Sequence, residues 1–275
     1  MSDLRAYLTR IGHDGPVAAD LPTLRALVHA HVTTIPFENL DPFSGVPVLL
    51  GAADIHAKLV DDGRGGYCFE HNRLLKTVLD EIGFTTVGLQ ARVVWGGPDQ
   101  EVTGRGHKLL RIELDGSTYL ADVGFGTSTP TAPLRVEADV EQETPHGVYR
   151  LLHDADAEGS GRGAWRQQAN VRGEWLTTYR FDLTPAFPID DEAPNWFLST
   201  SPTSHFVTGL AGARATRDGR RLAVNGRSFA VHAADGSTDR RALETVADLR
   251  KVLTDELLIA LPAGIDDALA KLFRP

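Results

Sequence analysis

The feature that most restricts what this chain can fold into is a change of hydrophobic period roughly a third of the way along it. Up to Gly83 the apolar residues recur every three or four positions; from Thr85 they recur every second one. The first spacing lays an apolar stripe along a helix, and the second lays one face of a strand against a core. Helices first and strands afterwards predict an α+β fold with segregated layers rather than alternating βαβ units.

Leu4, Tyr7, Leu8 and Ile11 share one face of a first helix, with Ser2 as its expected N-cap and Gly12 past its end. A second helix fits residues 24–32, with Leu24, Leu27, Val28 and His31 in line, and Pro36 stops it. A short third fits 52–60. A fourth starts at Cys68, carries Phe69, Leu74, Leu75, Val78, Leu79 and Ile82, and ends at Gly83. Residues 1–84 therefore read as a helical bundle.

Beyond it, Val87, Leu89, Ala91, Val93 and Trp95 alternate as in a half-buried strand. Segments 109–114 and 118–123 flank Asp115-Gly116, a strong hairpin signal. Further strands fit 148–152, 164–171 and 174–181, the last two joined across Arg172-Gly173. The polar, glycine-rich stretch 154–163 reads as a loop. Residues 85–190 thus predict an antiparallel sheet closing into a barrel. Pro185, Pro188 and Pro194 mark a crossing segment without regular structure. Residues 191–275 predict an α/β lid, with strands over 206–215 and 221–231 and helices over 241–253 and 266–273.

Lys plus Arg number 28 against 37 for Asp plus Glu, a net charge of −9, which argues against nucleic acid or an anionic membrane as a general partner. The charged N-terminus lacks the apolar core of a signal peptide, and no apolar run reaches the ~18 residues a membrane span needs. A cytoplasmic protein is expected, and a homo-oligomer stays open. The single cysteine excludes an intramolecular disulfide.

That cysteine stands in Arg64-Gly65-Gly66-Tyr67-Cys68-Phe69-Glu70-His71-Asn72. In the first turn of a helix, unpaired backbone N–H groups and the positive end of the helix dipole favour a thiolate. Gly65 and Gly66 allow a close approach to the sulfur. The bland alternative is a buried structural cysteine.

A nucleophilic cysteine needs a base and a group that orients the base. Of ten histidines, His13, His29, His31, His56, His146, His153 and His232 read as structural or solvated. The ring of His71 should point along its helix rather than at the sulfur, and His205 reads as a lobe contact. His107 differs. Pairing about Asp115-Gly116 sets residues whose numbers sum to about 231 opposite one another, so His107 faces about position 124. Asp122 then lies diagonally across the hairpin, near enough for a His–carboxylate contact.

Together with Ile35-Pro36-Phe37-Glu38-Asn39-Leu40, Asp122-Val123-Gly124-Phe125-Gly126 and Ser201-Pro202-Thr203-Ser204-His205-Phe206, this stretch resembles the arylamine N-acetyltransferases of bacterial type. The resemblance implies a helical bundle, a β-barrel and an α/β lid on a transglutaminase- or papain-like core. It implies Cys68, His107 and Asp122 as the catalytic set, and Phe37, Val94, Trp95, Phe125 and Phe206 as the lining of the acyl and amine pocket. Gly124 and Gly126 would let the chain pass close to the thioester. The implied reaction is ping-pong transfer of acetyl from acetyl-CoA to arylamines and arylhydrazines, with no metal. The Cys68 N–H would serve as one oxyanion donor, and Lys108 and Arg105 are the basic residues nearest for the CoA phosphates. Two related chemistries use the same three residue types: an amide synthase acting on a polyketide acyl chain, and a transglutaminase-like thiol hydrolase. A catalytically silent binding module is the remaining alternative.

Overall fold

The computed structural model describes residues 3–95, 97 and 102–274. Helix α1 spans Leu4–Ile11, and its cap is Asp3, whose carboxylate accepts the Ala6 N–H at 3.1 Å; the expected cap, Ser2, lies outside the described residues. Helix α2, Leu21–Thr34, begins earlier than the apolar spacing predicts because Asp20 accepts the Thr23 N–H at 2.8 Å and Pro22 suits the first turn. It stops just ahead of Pro36. Strand β1 (Phe37–Glu38), α3 (Leu40–Ser44) and α4 (Ala52–His56, continued by a π turn to Asp61) lead to α5, Cys68–Ile82.

Eight strands follow: β2 (Thr85–Val93), β3 (His107–Leu114), β4 (Ser117–Ala121), β5 (Leu134–Arg135), β6 (Glu141–Thr144), β7 (Gly147–His153), β8 (Trp165–Val171) and β9 (Glu174–Phe181). They form one antiparallel sheet in the order β5-β4-β3-β2-β9-β8-β7-β6. The Gln142 carboxamide of β6 exchanges hydrogen bonds with the Arg135 backbone of β5 at 2.7 and 2.9 Å, so the barrel is nearly closed. The β3–β4 register, from Leu114↔Ser117 to Leu110↔Ala121, is the one the Asp115-Gly116 turn predicts. Both turn residues take positive φ, as that two-residue turn demands. Strands β5 and β6 escape the sequence reading because they are too short to display a period.

The proline-marked segment is more ordered than expected. Pro188 opens a 3-10 turn, and α6 (Glu192–Thr200) carries Pro194 in its first turn, where a missing N–H breaks no helical bond. Helix α7 (His205–Thr208) takes the start of the predicted 206–215 strand, which becomes β10 only from Ala211 to Ala215. Strands β11 (Arg221–Asn225), β12 (Ser228–His232) and β13 (Thr238–Ala242) complete a second antiparallel sheet, ordered β1-β10-β11-β12-β13. Arg241, expected to open a helix, lies in β13, an edge strand with no apolar alternation. Helix α8 starts instead at Val246, behind a capping box in which Thr245 and Asp248 bond each other's backbone N–H. It runs to Lys251, and α9 covers Asp266–Ala270.

Strand β3 is buried on both faces. Leu110 and Ile112 join Tyr7, Leu24, Leu27 and Leu75 in the core of the helical bundle. Leu109, on the other face, joins Leu89, Tyr179 and Phe181 inside the barrel. A third apolar cluster, including Leu222, Leu249, Leu253 and Leu269, fills the lid.

Candidate active site

Cys68 is the first residue of α5, and the turn ahead of it is held from several sides. A Cβ on Gly65 would sit 2.0 Å from the Pro36 carbonyl oxygen, so only glycine lets the two backbones pass. Glu70 reaches back to accept the Tyr67 N–H at 3.0 Å. Below the turn, Arg64 holds Glu38 and Asp41, each at 2.8 Å, while Lys58 bridges Asp41 at 2.6 Å and Glu70 at 2.7 Å. This mostly buried ion network fastens the turn to β1 and α3.

The barrel delivers the partners. His107 opens β3 and Asp122 follows β4, and the Nε2–H of His107 donates to Asp122 Oδ2 at 2.7 Å. The Cys68 sulfur is close enough to the imidazole to favour its charged form. The sulfur also lies 3.8 Å from the Gly106 carbonyl oxygen. Burial works against the imidazolium, but the Asp122 charge and hydrogen bond, with the Cys68 sulfur, outweigh it and push His107 up to about 10. Burial likewise opposes the Asp122 charge, yet His107, the Gly124 N–H and Asn72 hold its carboxyl below the usual range.

Gly124 explains how a barrel loop can meet the helix so closely. A Cβ there would fall 2.6 Å from the Cys68 Cα. Its N–H donates to Asp122 Oδ1 at 3.0 Å, so this glycine abuts the cysteine and braces the carboxylate.

The five expected lining residues separate into groups. Phe125 packs edge-on against His107, with ring centroids 5.1 Å apart, and touches Trp95 at 6.5 Å. Phe37 and Phe206 meet at 6.0 Å, and Phe206 also packs on Tyr67 at 5.5 Å. Val94 is buried at the end of β2, with its N–H on the Thr178 carbonyl at 3.1 Å. Gly126 sits beneath the Phe37 ring. His205 packs on the ring of Phe206, within α7.

The two basic residues near the site have different fates. Lys108 is buried and committed to Asp191 at 2.7 Å, tying β3 to the segment before α6. Arg105 stays exposed and lines a cleft of about 480 Å³ with Gln90, Asp182 and Ile189. Among the described residues, no group of three or more His, Cys, Asp or Glu is arranged to hold a metal ion, and no helix is long and apolar enough to cross a membrane.

Sequence reasoning missed three supports. Asn72, one turn after Cys68, donates to the Lys108 carbonyl at 2.7 Å and to Asp122 Oδ1 at 3.2 Å, and accepts the Val123 N–H at 3.2 Å. Its i+4 spacing from Cys68 is a signal that could have found it. Tyr179 packs on His107 at 4.9 Å and donates to Gln167 Oε1 at 2.5 Å. Arg221, from the lid, donates to the Thr127 and Thr129 carbonyls at 2.7 and 2.9 Å and so holds the loop after Gly126. Nothing local in the sequence points to the last two.

A thiol at a helix N-terminus, facing a His–carboxylate pair on an antiparallel barrel, is the arrangement of the papain-like cysteine enzymes. Comparison with known proteins narrows this class. Residues 20–265 match the family model described as N-acetyltransferase. An arylamine N-acetyltransferase of Mycolicibacterium smegmatis is 44% identical over 94% of this chain and 92% of its own. The solved structure of the Mycobacterium marinum arylamine N-acetyltransferase superposes with a TM-score of 0.91 at 41% identity, covering 99% of this chain and 100% of the other. That enzyme has also been solved in complex with CoA, and there the TM-score is 0.90 at 42% identity, with 98% of each chain covered. This chain belongs to the arylamine N-acetyltransferase family and is an acyltransferase.

Proposed function

We propose that this protein transfers an acetyl group from acetyl-CoA to the nitrogen of arylamines and arylhydrazines, through an acetyl-Cys68 intermediate. The observation that carries the reading is the His107–Asp122 pair, 2.7 Å apart and buried, set against a cysteine at a helix N-terminus. The CoA-bound relative supports the donor, and the names of the relatives support the acceptor.

In the first step the Cys68 sulfur attacks the thioester carbonyl. The carbonyl π pair moves to oxygen, where the Cys68 N–H stabilises it. The C–S bond to CoA then breaks, and CoA leaves with a proton from His107. In the second step the amine nitrogen attacks acetyl-Cys68, His107 takes the amine proton, and the cysteine sulfur departs. Asp122 keeps its charge throughout and holds the imidazole on Nε2. Both half-reactions share one site, so the kinetics are ping-pong.

Phe37, Val94, Trp95, Phe125 and Phe206 form the acyl and amine pocket in this reading, and Gly124 and Gly126 give the thioester room. An arylamine is largely neutral at pH 7 and enters such an apolar wall without the cost of desolvating a charge. The helical bundle (1–84) supplies the nucleophile, the barrel (85–190) its base and carboxylate, and the lid (191–275) covers them.

Intact-protein mass spectrometry after exposure to acetyl-CoA tests the reading. The wild type gains one acetyl group and Cys68→Ala gains none. Continuous CoA release without amine would instead point to a hydrolase, and an unmodified wild type would sink the proposal.

A further inference from the structure

Two histidines that the mechanism leaves idle form a buried chain beside the nucleophile. Tyr7 Oη lies 2.9 Å from His31 Nδ1, His31 Nε2 lies 2.8 Å from His71 Nδ1, and His71 Nε2 lies 3.1 Å from the Pro36 carbonyl oxygen. All three side chains are fully buried. A carbonyl can only accept, so His71 donates from Nε2 and accepts at Nδ1. His31 must then donate from Nε2 and accept at Nδ1 from the Tyr7 hydroxyl. One set of protons satisfies every polar atom, with both rings neutral.

The chain ends where it matters for the reaction. Pro36 precedes Phe37, which spans the gap between Gly126 and Phe206. Apart from His71, the hydrogen-bond donor to the Pro36 oxygen is the Gly66 N–H, at a long 3.4 Å. Strand β1 is the seam of the molecule: Phe37 bridges to Gly66 of the nucleophile turn on one side and pairs with Ala213 of the lid sheet on the other. His71 stands three residues after Cys68 on the same helix, so α5 sets the sulfur and, through Pro36, the Phe37 wall.

We infer that Tyr7, His31 and His71 are positioning residues, a tautomer-locked relay that acts through Pro36 to hold Phe37, and that of the two groups sharing the pocket the larger amine depends on this wall more than the acetyl group does. The inference rests on the transferase reading above. Other charges facing the relay are Arg10 near His31, and Lys58 and Asp122 near His71.

The test separates the half-reactions. Replacing His71 by leucine removes the nearer of the two Pro36 donors at similar volume. Acetylation of Cys68 by acetyl-CoA should stay within about threefold of wild type, while KM for an aniline rises roughly tenfold or more. His71→Gln can donate to Pro36 and accept from His31, and should restore KM to within about threefold. Tyr7→Phe, on another helix, should raise KM for the amine about threefold with acetylation unchanged, and it carries the test if the leucine variant does not fold. Nitrogen NMR of 15N-histidine protein should show both rings neutral and protonated at Nε2. Half-reactions that fall together without rescue by glutamine, an unchanged amine KM, or an Nδ1–H ring would overturn the relay. A wild type that takes no acetyl group overturns the transferase reading, and the positioning role with it; neutral Nε2–H rings would still support the hydrogen-bonded chain, so the two failures read differently.

Discussion

Two buried histidines, His107 on the barrel and His71 on the Cys68 helix, are pushed in opposite directions by their surroundings. His107 and His71 are both almost or wholly out of solvent. Burial drives either ring toward the neutral form. At His107 the partner is the Asp122 carboxylate, whose charge reverses the effect and raises the ring to about 10. At His71 the partner is the Pro36 carbonyl, a dipole without net charge, and the ring falls to about 4. The lesson is that burial alone does not decide protonation; whether a charged group accepts from the ring does. In the proposed mechanism the first ring moves protons, and in the inferred relay the second is a neutral strut.

The sharpest way to break this contrast is Asp122→Asn. It replaces the charged acceptor by a neutral one and makes His107 resemble His71. We expect acetyl transfer to fall on the order of 10³–10⁴-fold, read as CoA release with an arylamine. A loss below tenfold would mean that the carboxylate charge is not what arms the imidazole.

The alkaline limb of stability comes next. His107 is raised above its unfolded value of 6.5, so its contribution is complete below that pH and disappears as pH rises toward about 10. Urea melts of the wild type should lose on the order of a few kcal/mol across that window. Asp122→Asn should show a flatter limb.

On the acid side the sign reverses. His71 is lowered from 6.5 to about 4, so the folded state resists a proton that the unfolded chain accepts. Stability should drop as pH falls from 6.5 toward 4, with roughly 2–3 kcal/mol from His71 beside the shares of His31 and His146, and His71→Gln should remove the His71 share while leaving the alkaline limb. The smallest effect belongs to Tyr7→Phe. It strips the donor from His31 Nδ1 and should cost about 1–2 kcal/mol in the same melts at neutral pH.

The candidate site was legible in the sequence where its geometry is local. A helix begins at Cys68 because a Gly-Gly turn precedes it and apolar residues at helical spacing follow it, features that lie close together along the chain. The reach from His107 to Asp122 follows from one hairpin, whose register the Asp115-Gly116 turn dictates. The His31–His71 relay was not legible, since it joins residues 40 apart on separate helices and each ring alone reads as ordinary core. Tyr179 and Arg221 were hidden for the same reason. Strand β13 was misread because a polar edge strand has no apolar face to betray it.

By itself, then, the sequence determined the layer order, the cysteine at a helix start and the histidine and carboxylate on one hairpin, because periodicity and turn chemistry act between near neighbours. Tertiary structure alone decided that the hairpin lies against that helix, with Gly124 against Cys68. It also decided which buried histidine meets a carboxylate and which a carbonyl. Those choices depend on packing between distant segments, and packing sets the local charge that a ring feels.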